Sequence, residues 1–175
     1  HLFPDASRHF MKIFMVAGEA SGDIYGGLLA QHFTDPTSSL QGWGGQNMQS
    51  SGVKITKHYQ ELAYMGLWEV ISNLPSILNN LNHCWKEIQA FNPDAIVLID
   101  FPGFNMRIAR KAHKAGINVF QVVAPKVWAW KKGRVKNLAR DYTAVFPVLP
   151  FEHDLLSSSG VNSIYHGHPI TETLD

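Results

Sequence analysis

Asp100 directly follows the apolar run Ala95–Ile99 and directly precedes Phe101-Pro102-Gly103-Phe104-Asn105. The run, rich in β-branched residues, reads as a strand buried on both faces. A carboxylate at its carboxyl end, ahead of a Pro-Gly turn, sits where open α/β sheets carry their ligand chemistry. The same carboxylate can instead cap the following turn or helix. A second cluster, Gly18-Glu19-Ala20-Ser21-Gly22-Asp23, links an apolar run ending at Ala17 to a helical segment. Backbone N–H groups at such a helix start favour an anion. Two carboxylates in so short a turn suit hydrogen bonds to hydroxyls, as in a sugar. A plain tight turn with Ser21 or Asp23 as N-cap is the simpler alternative.

Further candidates stand after later strands. In Ala124-Pro125-Lys126-Val127-Trp128-Ala129-Trp130, Trp128 and Trp130 form either an apolar wall or core, and Lys126 and Lys131 add positive charge. Leu149-Pro150-Phe151-Glu152 and Gly167-His168-Pro169 follow the last two strands, with His168 read as a hydrogen-bonded histidine at the domain edge.

Several classes are excluded by spacing. The glycines of the first turn are four apart, so it is not G-x-G-x-x-G, and no Lys-Ser/Thr follows Gly22, so it is not a P-loop. No G-x-S-x-G occurs, hence no nucleophile elbow. Scattered histidines and one cysteine make a zinc site improbable. Cys84 cannot form an internal disulfide and fits a reducing compartment, where it reads as a helix-packing residue. No apolar stretch reaches the roughly 18 residues of a membrane span.

A net charge of +1 conceals an asymmetry. Ten of the fifteen Lys and Arg residues lie between Arg107 and Arg140, where there is no Asp or Glu. Part of this is solvated helix surface; the remainder predicts a positive field and an anionic partner such as phosphate, nucleotide or acidic lipid. No nucleic-acid motif accompanies it.

The elements that position these residues alternate. Strands are predicted at Lys12–Ala17, Leu40–Gly42, Val53–Ile55, Ala95–Ile99, Asn118–Val123, Ala144–Val148 and Asn162–Tyr165. Helices are predicted at Asp23–Phe33, Gln46–Ser50, Asn105–Lys114, Lys131–Arg140 and Phe151–Ser158, with a long helical zone Glu61–Phe91 broken at Pro75. Such alternation over short Gly/Pro loops means an α/β, doubly wound, mainly parallel Rossmann-like sheet. One domain fills the 175 residues, with residues 1–10 a tag remnant or the tail of a preceding segment. Within the helical zone Met65, Leu67, Trp68, Val70, Ile71 and Leu74 surround the helix instead of forming a stripe. That surplus is either buried or a patch for membrane or acyl chains. Ile77, Leu78, Leu81, Trp85 and Ile88 give an ordinary amphipathic face.

Taken in order, Met15–Asp23, Glu61–Val70, Ile99–Asn105, Pro125–Lys136, Leu149–Glu152 and Gly167–Pro169 resemble the lipid-A-disaccharide synthases, glycosyltransferases of the GT-B type. The resemblance runs from Met11 to Pro169. It implies transfer of 2,3-diacylglucosamine from its UDP derivative to 2,3-diacylglucosamine 1-phosphate, with inversion and no metal or other cofactor. Asp100 falls on the family's essential aspartate and is the implied general base. The implied substrate-binding set is Gly18, Glu19, Ser21, Gly22, Asp23, Asn105, Lys126 and Trp128. Met65, Leu67, Trp68 and Ile71 match a region associated with membrane or acyl contact. By the same resemblance, residues 11–169 are the amino-terminal, acceptor-side half of the fold. Residues 170–175 begin a linker to a carboxyl-terminal nucleotide-binding domain, and this half alone is inactive. The implied location is cytoplasmic, on the inner membrane of a Gram-negative-type bacterium, against an anionic surface. Many members carry a second aspartate where this chain has Gly103, which leaves Asp100 without a rival. The alternatives are a non-catalytic sugar- or lipid-binding module and a nucleotide-binding oxidoreductase domain. The latter is disfavoured because no acidic residue ends the second strand near Gly42.

Overall fold

A computed structural model describes residues 10–33, 36–62, 74–124 and 132–166. The described elements run β1 (Lys12–Ala17), α1 (Ala20–Ala30), β2 (Ser39–Gly44), α2 (Gln46–Ser50), β3 (Lys54–His58), a 3-10 turn (Tyr59–Leu62), α3 (Leu74–Phe91), β4 (Ala95–Ile99), α4 (Pro102–Lys114), β5 (Asn118–Val122), α5 (Lys132–Asp141), β6 (Ala144–Phe146) and α6 (Pro150–Ser158). All six strands are parallel, in the order β3-β2-β1-β4-β5-β6. The chain therefore winds outward from β1 to β3, crosses back, and winds outward again from β4. This is the doubly wound α/β sheet read from the sequence.

The continuous apolar runs occupy the centre because both faces of a parallel sheet are covered. Alternate side chains go to opposite layers. Ile13, Met15 and Ala17 of β1 join Val97 and Ile99 of β4 beneath α1 and α2. Phe14 and Val16 join Ile96 and Leu98 beneath α3, α4, α5 and α6, with Cys84, Ile88, Ile108, Leu138 and Leu156. In α1 the sheet-facing side is small. A Cβ at Gly26 would lie 2.8 Å from Ile99 Cδ1 and 2.7 Å from Met48 Sδ. This close approach explains glycines in a helix interior, where each costs about 1 kcal/mol relative to alanine.

The boundaries differ from the sequence reading where side chains have non-local partners. Helix α1 begins at Ala20 instead of Asp23, because Glu19 takes the N-cap position and Asp23 points elsewhere. Helix α4 begins at Pro102, whose fixed φ suits a first helical turn. Strand β3 starts one residue late because the Val53 N–H is taken by the Met48 carbonyl at the end of α2. The expected last strand is reduced to a single bridge between Val145 and Ser163. Strand β2 runs on to Gly44, and β6 stops at Phe146. On α3, Leu81, Cys84 and Ile88 are buried, but Leu78 is 46% exposed, on the flank and not on the packed stripe.

Candidate functional site

Strand order reverses between β1 and β4, and their carboxyl ends are level, Ala17 pairing with Ile99. The turn that holds Glu19 and Ser21 and the turn that holds Asp100 therefore emerge side by side at the topological switch point. They interlock there. A Cβ on Gly18 would stand 2.4 Å from Cγ of the Phe101 ring, so glycine at 18 lets the second turn close over the first. At Gly22, buried in the first turn of α1, a Cβ would stand 3.3 Å from Ala17 Cβ, a tight contact, and 3.5 Å from Ile99 Cγ2.

The β4–α4 turn has an unusual backbone. Asp100 and Phe101 both lie in the left-handed region, at φ 46° and 50°. Two successive non-glycine residues there are disfavoured by Cβ–carbonyl contact, and such strain concentrates at functional sites. The Asp100 N–H donates to Val122 O at 3.0 Å, extending the sheet by one bond. Its carbonyl accepts from Asn105 Nδ2 at 2.7 Å and Gln121 Nε2 at 3.2 Å. Asp100 itself is half-buried.

On the neighbouring turn Glu19 and Ser21 are exposed, and the Ser21 hydroxyl donates to Glu19 Oε1. The structure thus sets the turn that carries Gly18, Glu19, Ser21 and Gly22 next to the turn that carries Asp100. Asp23 is not among them. It is buried, and its carboxylate accepts from Gly45 N (2.7 Å), Asn47 N (3.0 Å), Asn47 Nδ2 (2.8 Å) and Met48 N (3.1 Å). Both oxygens cap the start of α2, which corrects the expectation that Asp23 faces a substrate hydroxyl. Asn105 is likewise fully buried, so it reaches Asp100 and not the open cleft. Lys126, Trp128, Met65, Leu67, Trp68 and Ile71, with Trp130, Lys131 and His168, lie outside the described residues. At Gly103 a Cβ would meet nothing within 4 Å, so no packing requirement forbids a side chain there.

Two features of the site were missed in the sequence. One is an aromatic stack behind the turn. Phe101 lies 5.2 Å from Phe104, and Phe104 5.7 Å from Trp43. Trp43 Nε1 donates to Glu87 Oε2 at 2.9 Å, and Glu87 also accepts from Thr56 at 2.6 Å and faces His83 Nε2 at 2.9 Å. The indole is thereby fixed between β3 and α3. The other is Gln121, a fully buried amide on β5. Its signal was a polar residue set among Val119, Phe120 and Val122, beyond the exposed Asn118 that opens the strand.

The positive band is partly neutralised. Arg140 Nε lies 2.7 Å from Asp141 Oδ1 and Arg110 Nη1 lies 3.2 Å from the same oxygen. Burial raises the Asp141 pKa, but hydrogen bonds from Arg140 and Arg110 outweigh it and hold the carboxyl below its ordinary value. Arg107, Lys114 and Lys136 remain exposed on α4 and α5. Among the described residues no three His, Cys, Asp or Glu side chains gather as metal ligands, and no helix is long and apolar enough to cross a membrane.

The model of the lipid-A-disaccharide synthetase family matches residues 13–175. The lipid-A-disaccharide synthase of Syntrophus aciditrophicus is 38% identical over 164 residues, covering 93% of this chain and 43% of that protein. That of Trichlorobacter lovleyi is 39% identical over 168 residues, covering 94% and 43%. The chain thus spans under half the length of these curated relatives. Among solved structures, UDP-N-acetylglucosamine 2-epimerase from Rickettsia bellii superposes with a TM-score of 0.67 at 14% identity, covering 95% of this chain and 47% of that one. The Neisseria meningitidis UDP-GlcNAc 2-epimerase bound to UDP-GlcNAc gives 0.63 at 13%, covering 94% and 48%. At such identities the likeness is one of fold.

Proposed function

Because this chain belongs to the lipid-A-disaccharide synthetase family, we propose that it forms the acceptor-side half of an inverting glycosyltransferase. The whole protein would move 2,3-diacylglucosamine from its UDP derivative to 2,3-diacylglucosamine 1-phosphate. Asp100 takes the proton from the acceptor 6-hydroxyl as that oxygen attacks the anomeric carbon. The bond from that carbon to the UDP oxygen breaks on the opposite face, its electron pair leaves with UDP, and the configuration inverts. One general base and no covalent nucleophile are needed. Nucleotide contacts fall to the part of the relatives that this chain does not span.

What carries the reading is the position of Asp100. Asp100 belongs to a left-handed turn at the switch point, next to the turn that carries Glu19 and Ser21, on a sheet whose central strands are buried. Glu19 and Ser21, exposed on the adjoining turn and hydrogen-bonded to each other, are assigned here as acceptors for sugar hydroxyls. We assign Lys126 and Trp128 to the same cleft on sequence grounds, and Met65, Leu67, Trp68 and Ile71 to acyl or membrane contact. The exposed cations of α4 and α5 suit an anionic surface, consistent with a peripheral location on a cytoplasmic membrane face. The deciding experiment is Asp100→Asn in the full-length protein. Turnover should fall by about 100-fold or more, the range for loss of a general base, with an unchanged circular dichroism spectrum. Near-normal turnover removes Asp100 from the base role.

A further inference from the structure

We propose that Asn105 and Gln121 are positioning residues that fix the direction of the Asp100 carboxylate by gripping its backbone; the inference rests on the reading of Asp100 as the base. The Asp100 side chain leaves a left-handed Cα, so where it points depends on that backbone being held. Three backbone hydrogen bonds among the described residues hold it. The N–H of Asp100 is tied to Val122 O, and its carbonyl receives the Asn105 amide from α4 and the Gln121 amide from β5. The same two amides reach the flanking carbonyls. Asn105 Nδ2 lies 3.3 Å from Ile99 O, and Gln121 Nε2 lies 3.1 Å from Val123 O and 3.4 Å from Val122 O. Val123, a β-branched residue, is itself left-handed at φ 62°. Two buried amides thus bind together the irregular ends of two adjacent strands.

Neither amide is exposed, so neither touches a substrate directly. Each also leaves its oxygen, Asn105 Oδ1 and Gln121 Oε1, buried with no partner among the described residues. Packing alone does not account for that arrangement, since an apolar side chain of the same shape would avoid stranding an acceptor. The donor half of each amide, convergent on one carbonyl, does account for it.

The test uses the full-length enzyme with Gln121→Met and Asn105→Leu, which keep volume and remove both the donors and the orphaned acceptors. We expect kcat to fall 10- to 100-fold, the acceptor KM to stay within threefold, and the acidic limb of the pH–rate profile to move. The thermal midpoint should shift by less than about 3 °C, because an unsatisfied group is lost along with the bonds. Unchanged kcat overturns the proposal. So does a loss that accompanies a lowered midpoint with the acidic limb unmoved, which marks packing only. If the methionine variant does not fold, Gln121→Glu takes its place: its kcat relative to wild type should rise as pH falls and the glutamic acid regains a donor, and a flat ratio overturns the proposal. Asp100→Asn measured alongside separates the two readings. An active Asp100→Asn enzyme refutes the base, whereas an inactive one beside a fully active Gln121→Met enzyme refutes only the positioning.

Discussion

Replacing Asp23 with alanine tests whether this carboxylate belongs to the fold or to the ligand. It is 1% exposed and accepts four hydrogen bonds, three of them from the backbone at the start of α2. After truncation the exposed Asn47 turns to water, but the N–H groups of buried Gly45 and Met48 are stranded. Each stranded donor costs about 1–3 kcal/mol, and loss of an N-cap about 1 kcal/mol. Since these overlap, Asp23→Ala should cost about 3–5 kcal/mol. In a domain of this size 1 kcal/mol corresponds to about 2–4 °C, so the thermal midpoint should drop by about 6–20 °C. Asp23→Asn keeps one acceptor oxygen and should lose roughly half as much. Thermal and urea melts of this chain, followed by circular dichroism, provide the readout. A drop below about 3 °C with Asp23→Ala, combined with a raised substrate KM in the full-length protein, would return Asp23 to the cleft and refute the capping argument.

Other outcomes follow from buried or paired groups. Burial, with the charge of Glu87 beside it, pushes the Cys84 thiol far above its ordinary pKa, so the folded chain should resist a thiol-specific disulfide reagent at pH 8 and react fully in urea. Rapid stoichiometric labelling of the native chain would contradict this. The Asp141 pKa is lowered on folding, so its ion-pair contribution is complete above the ordinary carboxyl value of 3.8 and is lost as pH falls below it. Both arginines are partly solvated, at 40% and 44% side-chain exposure, so Asp141→Asn should cost only about 1 kcal/mol at pH 7. The difference between the two proteins in urea should shrink below pH 4, and a pH-independent difference would exclude the pairing. Replacing Leu67, Trp68 and Ile71 together with serine in the full-length protein should reduce its partition onto anionic vesicles; unchanged partition argues against the apolar patch.

Local pattern was sufficient for the architecture and for the place of the principal carboxylate. Runs such as Lys12–Ala17 and Ala95–Ile99 are apolar throughout because both of their faces are covered, and that condition leaves its mark in consecutive residues. Asp100 was legible for a related reason: a charged residue that ends such a run must lie at the sheet edge. Helix starts were less legible. Asp23 reads as an N-cap, and it is one, but for α2, a helix whose start lies more than twenty residues away.

From the chain alone came the alternating α/β class, the parallel winding, the acid-free basic band and the place of Asp100 at the carboxyl edge of the sheet, since each depends on neighbours in sequence. Only the folded structure decided that Asp23 turns inward, that Arg110 and Arg140 converge on Asp141, and that Asn105 and Gln121 close on one carbonyl. A hydrogen bond is directional and short-ranged. Whether a polar side chain meets a substrate, a helix end or a backbone oxygen is therefore settled by which distant segment packs beside it.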